Sequence, residues 1–149
     1  TQRINLTAAA ELCRLAVLHW QDRKVGGRIV NIASRAAYRG DSPAHWHYAA
    51  AKAGIEGLVH SAAATYAHVG IRFNAVAPGL VKSLMTRSLW ENPAAAQASV
   101  QMHALGRLGE PEDVARALVF LLDPRNSWIT GQILGVDGGL GSVVPRRRS

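Results

Sequence analysis

The chain has 149 residues, 48% of them hydrophobic and 18% charged, which is the make-up of one globular domain able to bury a core. Its formal net charge is +7, yet the basic residues are spread along the chain and gather only in the tail Arg146-Arg147-Arg148; the basic stripe and interleaved aromatics of a nucleic-acid face are missing. No apolar run reaches the roughly 18 residues of a membrane span, the first residues lack the order of a signal peptide, and the single cysteine, Cys13, allows no intrachain disulfide, so a cytoplasmic protein with no membrane or nucleic-acid partner is expected.

Ile4, Ala8, Leu12, Leu15, Ala16 and His19 recur at helical spacing and predict a helix up to about Trp20, with Cys13 as a packing residue. A polar turn over 21–27 leads into Arg28-Ile29-Val30-Asn31-Ile32-Ala33. This nearly continuous apolar run ends at Ser34 and has the pattern of a strand buried on both faces of a parallel sheet. Residues 35–45 read as a loop with Gly40, Asp41, Ser42 and Pro43 as turn signals. A long helix follows from about Ala44 to His68. Its alanines agree with intrinsic propensity, whereas Gly54 and Gly57 cost roughly 1 kcal/mol each in a helix interior and point to a helix or ligand pressed against the backbone.

Gly70 closes that helix, and Ile71-Arg72-Phe73-Asn74-Ala75-Val76 forms a second strand stopped by Pro78-Gly79. Residues 84–105 predict one or two loosely amphipathic helices interrupted near Asn92-Pro93. Met85, Leu89 and Trp90 in this stretch suit either a lid over an apolar substrate or plain packing. Glu110-Pro111-Glu112-Asp113 opens another helix with Val114, Leu118 and Leu121 as its buried stripe. Ile133-Leu134-Gly135-Val136 is a third strand, ended by Asp137-Gly138-Gly139. Helices alternating with strands predict an open parallel α/β sheet without repeats or an internal linker.

Within the long helix, Tyr48 and Lys52 are separated by three alanines, which puts them on one face with Cβ atoms roughly 5–6 Å apart. A cation beside a tyrosine lowers its pKa from about 10 towards the range useful for acid–base catalysis at neutral pH. Taken alone, a tyrosine and a lysine at this spacing are more often a surface pair than a catalytic one. His45, Trp46 and His47 precede it and could face a substrate, but without a cysteine or acidic cluster at ligand spacing no metal site is expected.

Several separated motifs together resemble the short-chain dehydrogenase/reductase family over essentially the whole chain. They are Asn5 in Ile4-Asn5-Leu6; Ile29-Val30-Asn31-Ile32-Ala33-Ser34; Tyr48 with Lys52; Asn74-Ala75-Val76-Ala77-Pro78-Gly79-Leu80-Val81-Lys82-Ser83; Gly106-Arg107-Leu108-Gly109-Glu110-Pro111-Glu112; and Ile129-Thr130-Gly131-Gln132, closed by Val136-Asp137-Gly138-Gly139. The resemblance, which extends to 3-oxoacyl-carrier-protein reductase-like members, implies an α/β fold forming the C-terminal part of a Rossmann-like, doubly wound, three-layer parallel sheet. It also implies hydride transfer between NAD or NADP and a small carbonyl or secondary-alcohol substrate, and assembly into a homo-oligomer, a dimer or tetramer.

By this resemblance Ser34 hydrogen-bonds the substrate oxygen and Tyr48 exchanges a proton with it. Lys52 favours the tyrosinate and holds the nicotinamide ribose, and Asn5 holds a water beside Lys52, with capping of backbone amides as the alternative role of Asn5. Tyr48, Lys52, Pro78, Gly79, Val81 and Ser83 would form the cofactor side, Ser83 being alternatively a helix cap. Two departures stand out. The stretch from Ser34 to Tyr48 is one residue longer than the commonest family spacing, so strict counting selects Arg35, which cannot do a serine's work; an inserted residue with Ser34 as the serine is the simpler account, and Ser42 is the other candidate. Moreover, no glycine-rich strand-to-helix turn is present, since Gly135-Val136-Asp137-Gly138-Gly139-Leu140-Gly141 follows a strand but precedes no helix. Residues 1–149 are therefore expected to be a single partial domain lacking its dinucleotide-binding half. The competing expectation is a non-catalytic fragment or associating subunit, with the 28–33 strand as an apolar edge seeking a partner.

Overall fold

The structure is a computed structural model that describes residues 1–40 and 43–146. A π-helical turn, Arg3–Thr7, runs directly into α1 (Ala8–Asp22), followed by β1 (Gly27–Ile32), the short α2 (Ala36–Arg39), α3 (Trp46–Tyr66) and β2 (Ile71–Pro78). The chain continues through α4 (Arg87–Trp90), α5 (Pro93–Met102) and α6 (Pro111–Leu122) to β3 (Ile133–Val136). The three strands form one parallel sheet in the order β1-β2-β3, with Ile29 opposite Phe73 and Ala75 opposite Ile133. The α2 helix lies inside the stretch expected to be loop. Its four residues are too few to show periodicity in sequence.

Alternation along β2 explains how both faces are covered. Ile71, Phe73, Ala75 and Ala77 pack with Cys13 and Val17 of α1 and Ile55, Val59 and Ala63 of α3 in one apolar core. On the opposite face Arg72 donates to the carbonyls of Leu121 and Asp123 at the end of α6 and to Ile129, at 2.8–3.2 Å. Helices thus lie on both sides of the sheet, giving three layers. Asn74, fully buried, bridges β2 to the approach of β3: its Nδ2 donates to Ile129 O at 3.1 Å and its Oδ1 accepts from Gln132 N at 3.0 Å. Two of the motifs in the sequence are therefore halves of one hydrogen-bonded joint.

Gly70 takes φ +75°, the left-handed conformation that ends α3 and its last 3-10 turn. Gly54 is pressed as expected, since a Cβ there would lie 2.9 Å from Leu6 Cδ1. Gly57 corrects the expectation: a Cβ there would meet nothing within 4 Å among the described residues. In α1 the helix and the packing role of Cys13 are as expected, and the structure adds which face is covered. The residues it buries are Cys13 and Val17, with Leu6, Ala9 and Trp20 packed alongside, while Ile4, Leu12 and Leu15 of the recurring stripe face outward. The helix is apolar on two faces, and spacing alone does not say which one the sheet covers.

Candidate active site

Lys52 sits one turn beyond Tyr48 on α3. It is 9% exposed, and its Nζ donates to the carbonyl of Ile32 at 2.7 Å, the last residue of β1. Burial holds its pKa below the ordinary lysine value. The ammonium lies 5.7 Å from the centroid of the half-buried Tyr48 ring. An ammonium has three donors, and Ile32 takes one, so two remain for other acceptors.

Two residues past Ile32, Ser34 is half-buried, and its Oγ accepts from Ala36 N at 3.2 Å, a serine turn that starts α2. That bond uses the oxygen as acceptor and leaves the hydroxyl proton available to donate. The next residue, Arg35, points away from this role. Its side chain is buried against Asp137, and its guanidinium lies 3.8 Å over the Tyr38 ring, so Tyr38 packs on an arginine. Ser42, the other serine candidate, lies outside the described residues.

Asn5 falls in the π-helical turn and lines, with Lys52, Ile32 and Asn31, a cleft of about 390 Å³ between α1, α3 and β1. Its side chain donates to Thr1 O at 3.3 Å. Lys52 and Ser34 thus sit at the carboxyl end of β1, the end at which open α/β sheets take ligands, with Tyr48 one turn before Lys52 and Asn5 on the cleft that Lys52 also lines.

Pro78 and Gly79 end β2 beside this group: Pro78 O accepts from Arg35 N at 3.2 Å, and Gly79 N donates to Val136 O at 3.2 Å. Beyond them, Lys82 N donates to Gly109 O at 2.9 Å and Gly109 N to Leu80 O at 2.9 Å, which fixes Val81 in an isolated bridge with Gly109. Ser83 closes a serine turn ahead of α4, whose N-cap is Thr86: its Oγ accepts from Thr86 N at 3.3 Å, its carbonyl accepts from Trp90 Nε1 at 3.0 Å, and the Thr86 hydroxyl donates to Val81 O at 2.6 Å. Met85 and Leu84 are among the most exposed side chains, so Met85 is not core, whereas Trp90 is anchored through its indole.

Sequence reasoning missed His103. It is buried at the end of α5, with Nδ1 2.7 Å from Ser99 O and Nε2 accepting from Leu80 N at 3.2 Å, so it ties α5 to the segment after β2. A lone histidine outside any motif carries no signal for such a bond. With Gly79, Leu80 and Asp137 it lines a second cavity, of about 570 Å³. Among the described residues no group of three or more His, Cys, Asp or Glu side chains could hold a metal ion.

Residues 1–141 match a family model described as enoyl-(acyl carrier protein) reductase. The chain is 37% identical over 137 residues to the 3-oxoacyl-[acyl-carrier-protein] reductase of Thermotoga maritima, covering 92% of this chain and 54% of that protein. It superimposes on 4-hydroxyisoleucine dehydrogenase complexed with NADH with a TM-score of 0.89 at 27% identity, covering 95% of this chain and 58% of that one. For ElxO with NADP bound the TM-score is 0.80 at 32% identity, with 90% and 54% covered. The chain therefore spans little more than half the length of the relatives it matches. Because the model match takes in 141 of 149 residues, the chain belongs to the short-chain dehydrogenase/reductase family.

Proposed function

We propose that this chain is the C-terminal catalytic portion of an NAD(P)-dependent oxidoreductase that interconverts a carbonyl and a secondary alcohol, with Tyr48 as the proton-transfer residue. The observation that supports it is the buried Lys52, held by the end of β1 with two donors to spare and 5.7 Å from the Tyr48 ring. In this reading Ser34 donates its hydroxyl proton to the substrate oxygen and orients it. Tyr48 gives that oxygen a proton during reduction and takes it back during oxidation. Lys52 stabilises the tyrosinate and offers its remaining donors to the nicotinamide ribose, and Asn5, across the cleft from Lys52, holds a water that links the site to solvent. Pro78, Gly79, Val81 and Ser83 line the cofactor side. A bound nicotinamide would supply or accept the hydride.

The fit to that cofactor is partial. Donors suited to the nicotinamide end are present, but the turn after β1 contains no glycine cluster and opens only the four-residue α2. The glycine-rich turn after β3 is filled by the chain itself, a Cβ at Gly139 lying 2.9 Å from Ala104 Cβ. A pyrophosphate cradle is thus not formed by the described residues. This supports a second reading for the 149-residue chain alone, a non-catalytic piece or associating subunit of such an enzyme. Assembly as a homo-oligomer is part of both readings and is supported by the outward apolar face of α1, Ile4, Leu12, Leu15 and Leu18. No helix of the described residues is long and apolar enough to cross a membrane, and a reducing, cytoplasmic setting fits the free, buried Cys13.

Titrating NADH and NADPH into the 149-residue chain, and into a longer protein that contains it, separates the two readings: binding near micromolar Kd by the short chain would remove the second. In the longer protein Tyr48→Phe should lower turnover on the order of 10²–10⁴-fold while cofactor affinity is kept. Unchanged turnover would refute the assignment of Tyr48.

A further inference from the structure

We propose that Arg35, the residue occupying the position strict spacing would give to the serine, is a positioning residue: its buried guanidinium latches the Ser34 turn to the turn that follows β3. The inference rests on the reading of Ser34 given above.

Ser34 is held by local bonds, its Oγ accepting from Ala36 N at 3.2 Å and its carbonyl from Ala37 N at 3.0 Å, and both partners lie in the short α2 itself. Arg35 is held from three directions. Its backbone N donates to Pro78 O at the end of β2. Its guanidinium stacks on Tyr38 and ion-pairs through Nε with Asp137 Oδ2, both side chains being buried. Asp137 is in turn the centre of the turn after β3, with Oδ1 accepting from Gly139 N and Oδ2 from Gly141 N, each at 3.0 Å. Arg39, at the far end of α2, donates to Leu140 O in the same turn. The ends of all three strands therefore meet at the residue next to Ser34.

Space around the guanidinium is reserved for it. A Cβ at Gly141 would fall 0.9 Å from Nη2 and 1.7 Å from Cζ, so any other residue at 141 would expel the side chain. A buried ion pair is poor evidence of stability, because desolvating two charges consumes most of their attraction and an apolar pair of similar volume often does as well. What the pair does contribute is geometry: the guanidinium lies between the Asp137 carboxylate and the Tyr38 ring, in space that the missing Cβ of Gly141 leaves open. A shift of about 1 Å in a group that must point at a reacting oxygen can cost roughly 10²-fold in rate, so the restraint has a functional consequence.

Two variants dislodge the latch by different routes: Arg35→Met removes the charge and keeps the stem, while Gly141→Ala displaces the guanidinium and leaves residue 35 intact. Amide hydrogen exchange of the 149-residue chain should show the Ala36 and Gly139 amides exchanging about tenfold or more faster in both, with Phe73 and Ala75 of β2 unchanged. Arg35→Lys should restore part of the protection. Unaltered exchange at Ala36 in Gly141→Ala overturns the proposal, and this variant decides the matter if Arg35→Met fails to fold. In the longer protein, with ethyl acetoacetate as the carbonyl probe, Gly141→Ala should lower kcat about tenfold or more and leave KM for the cofactor within about twofold. In a Ser34→Ala background it should lower kcat no further. An equal loss in that background overturns the proposal alone. Normal turnover by Ser34→Ala, or none by the unsubstituted protein, removes the functional reading of the site, while the exchange result still decides whether Arg35 holds Ser34 in place.

Discussion

β2 and the segment it leads into are tied at nearly every polar group, whereas β1, α1 and the face of α3 that carries Lys52 are left partly open. Along 74–83, Asn74 joins Ile129 and Gln132, Leu80 joins His103 and Gly109, and Val81 joins Thr86. Around Lys52, among the described residues, its Nζ has one bond, to Ile32 O, beside a cleft of about 390 Å³. The contrast separates scaffold from chemistry. Groups that have spent their hydrogen bonds on the fold set distances, and the groups left with spare donors are those that the proposed function gives to substrate and cofactor.

The largest effect expected from this contrast is in stability. Phe73→Ala, at a β2 position 1% exposed, should cost about 3–5 kcal/mol in chemical denaturation of the chain. Ile32→Ala at the end of β1, 44% exposed, should cost under about 1 kcal/mol. A cost for Ile32→Ala close to that of Phe73→Ala would mean that the open side is covered in solution, and the contrast would break.

Lys52→Met sharpens the same contrast by separating function from folding. Turnover of the longer protein should fall on the order of 10²-fold, while the chain's stability at neutral pH is unchanged or raised, since a buried charge has been removed. Burial lowers the folded-state pKa of Lys52, so between that value and about 10.4 the unfolded chain binds more protons and stability rises with pH. Denaturation series at neutral and alkaline pH should show that rise in the native chain and its loss in Lys52→Met.

Smaller effects test the helices on either side. Gly57→Ala, with open space around it, should stabilise by about 0.5–1 kcal/mol, and Gly54→Ala should gain less because its Cβ must move Leu6. If Gly57→Ala instead disrupts association measured by sedimentation, that face of α3 is an interface. The smallest change is expected for Asp113→Asn at the start of α6. Arg107 holds the Asp113 carboxyl well below the usual carboxylate range, with Oδ1 and Oδ2 taking bonds of 3.0 and 2.7 Å, and Glu110 N adds another. Its contribution is complete above about pH 4 and lost as pH falls towards the lowered value. The variant should show a slightly weaker fold at neutral pH and a shallower acid dependence.

Much of this molecule was legible in order of residues. The apolar run ending at Ser34, the Pro78-Gly79 stop and the 133–136 strand predicted the three strands, because a strand covered on both faces must be apolar at consecutive positions. The break at Asn92-Pro93 fell at the boundary of α4 and α5, where Asn92 Oδ1 caps Ala95 N. Tyr48 and Lys52 were legible as a pair because helical spacing is local. The buried face of α1 was not legible, since both of its faces are apolar and only the position of β1 and α3 selects one.

The order of residues by itself determined the longer helices and the strands, the parallel sheet and the chemical types available at its carboxyl edge, all of which follow from local spacing and backbone preference. Only tertiary structure decided that Lys52 reaches the end of β1 across 20 residues of sequence, that His103 holds Leu80, and that Arg35 turns away from the serine's place to meet Asp137. These contacts join segments far apart in the chain, and no periodicity encodes them; they exist because a parallel sheet brings the ends of its strands to one edge.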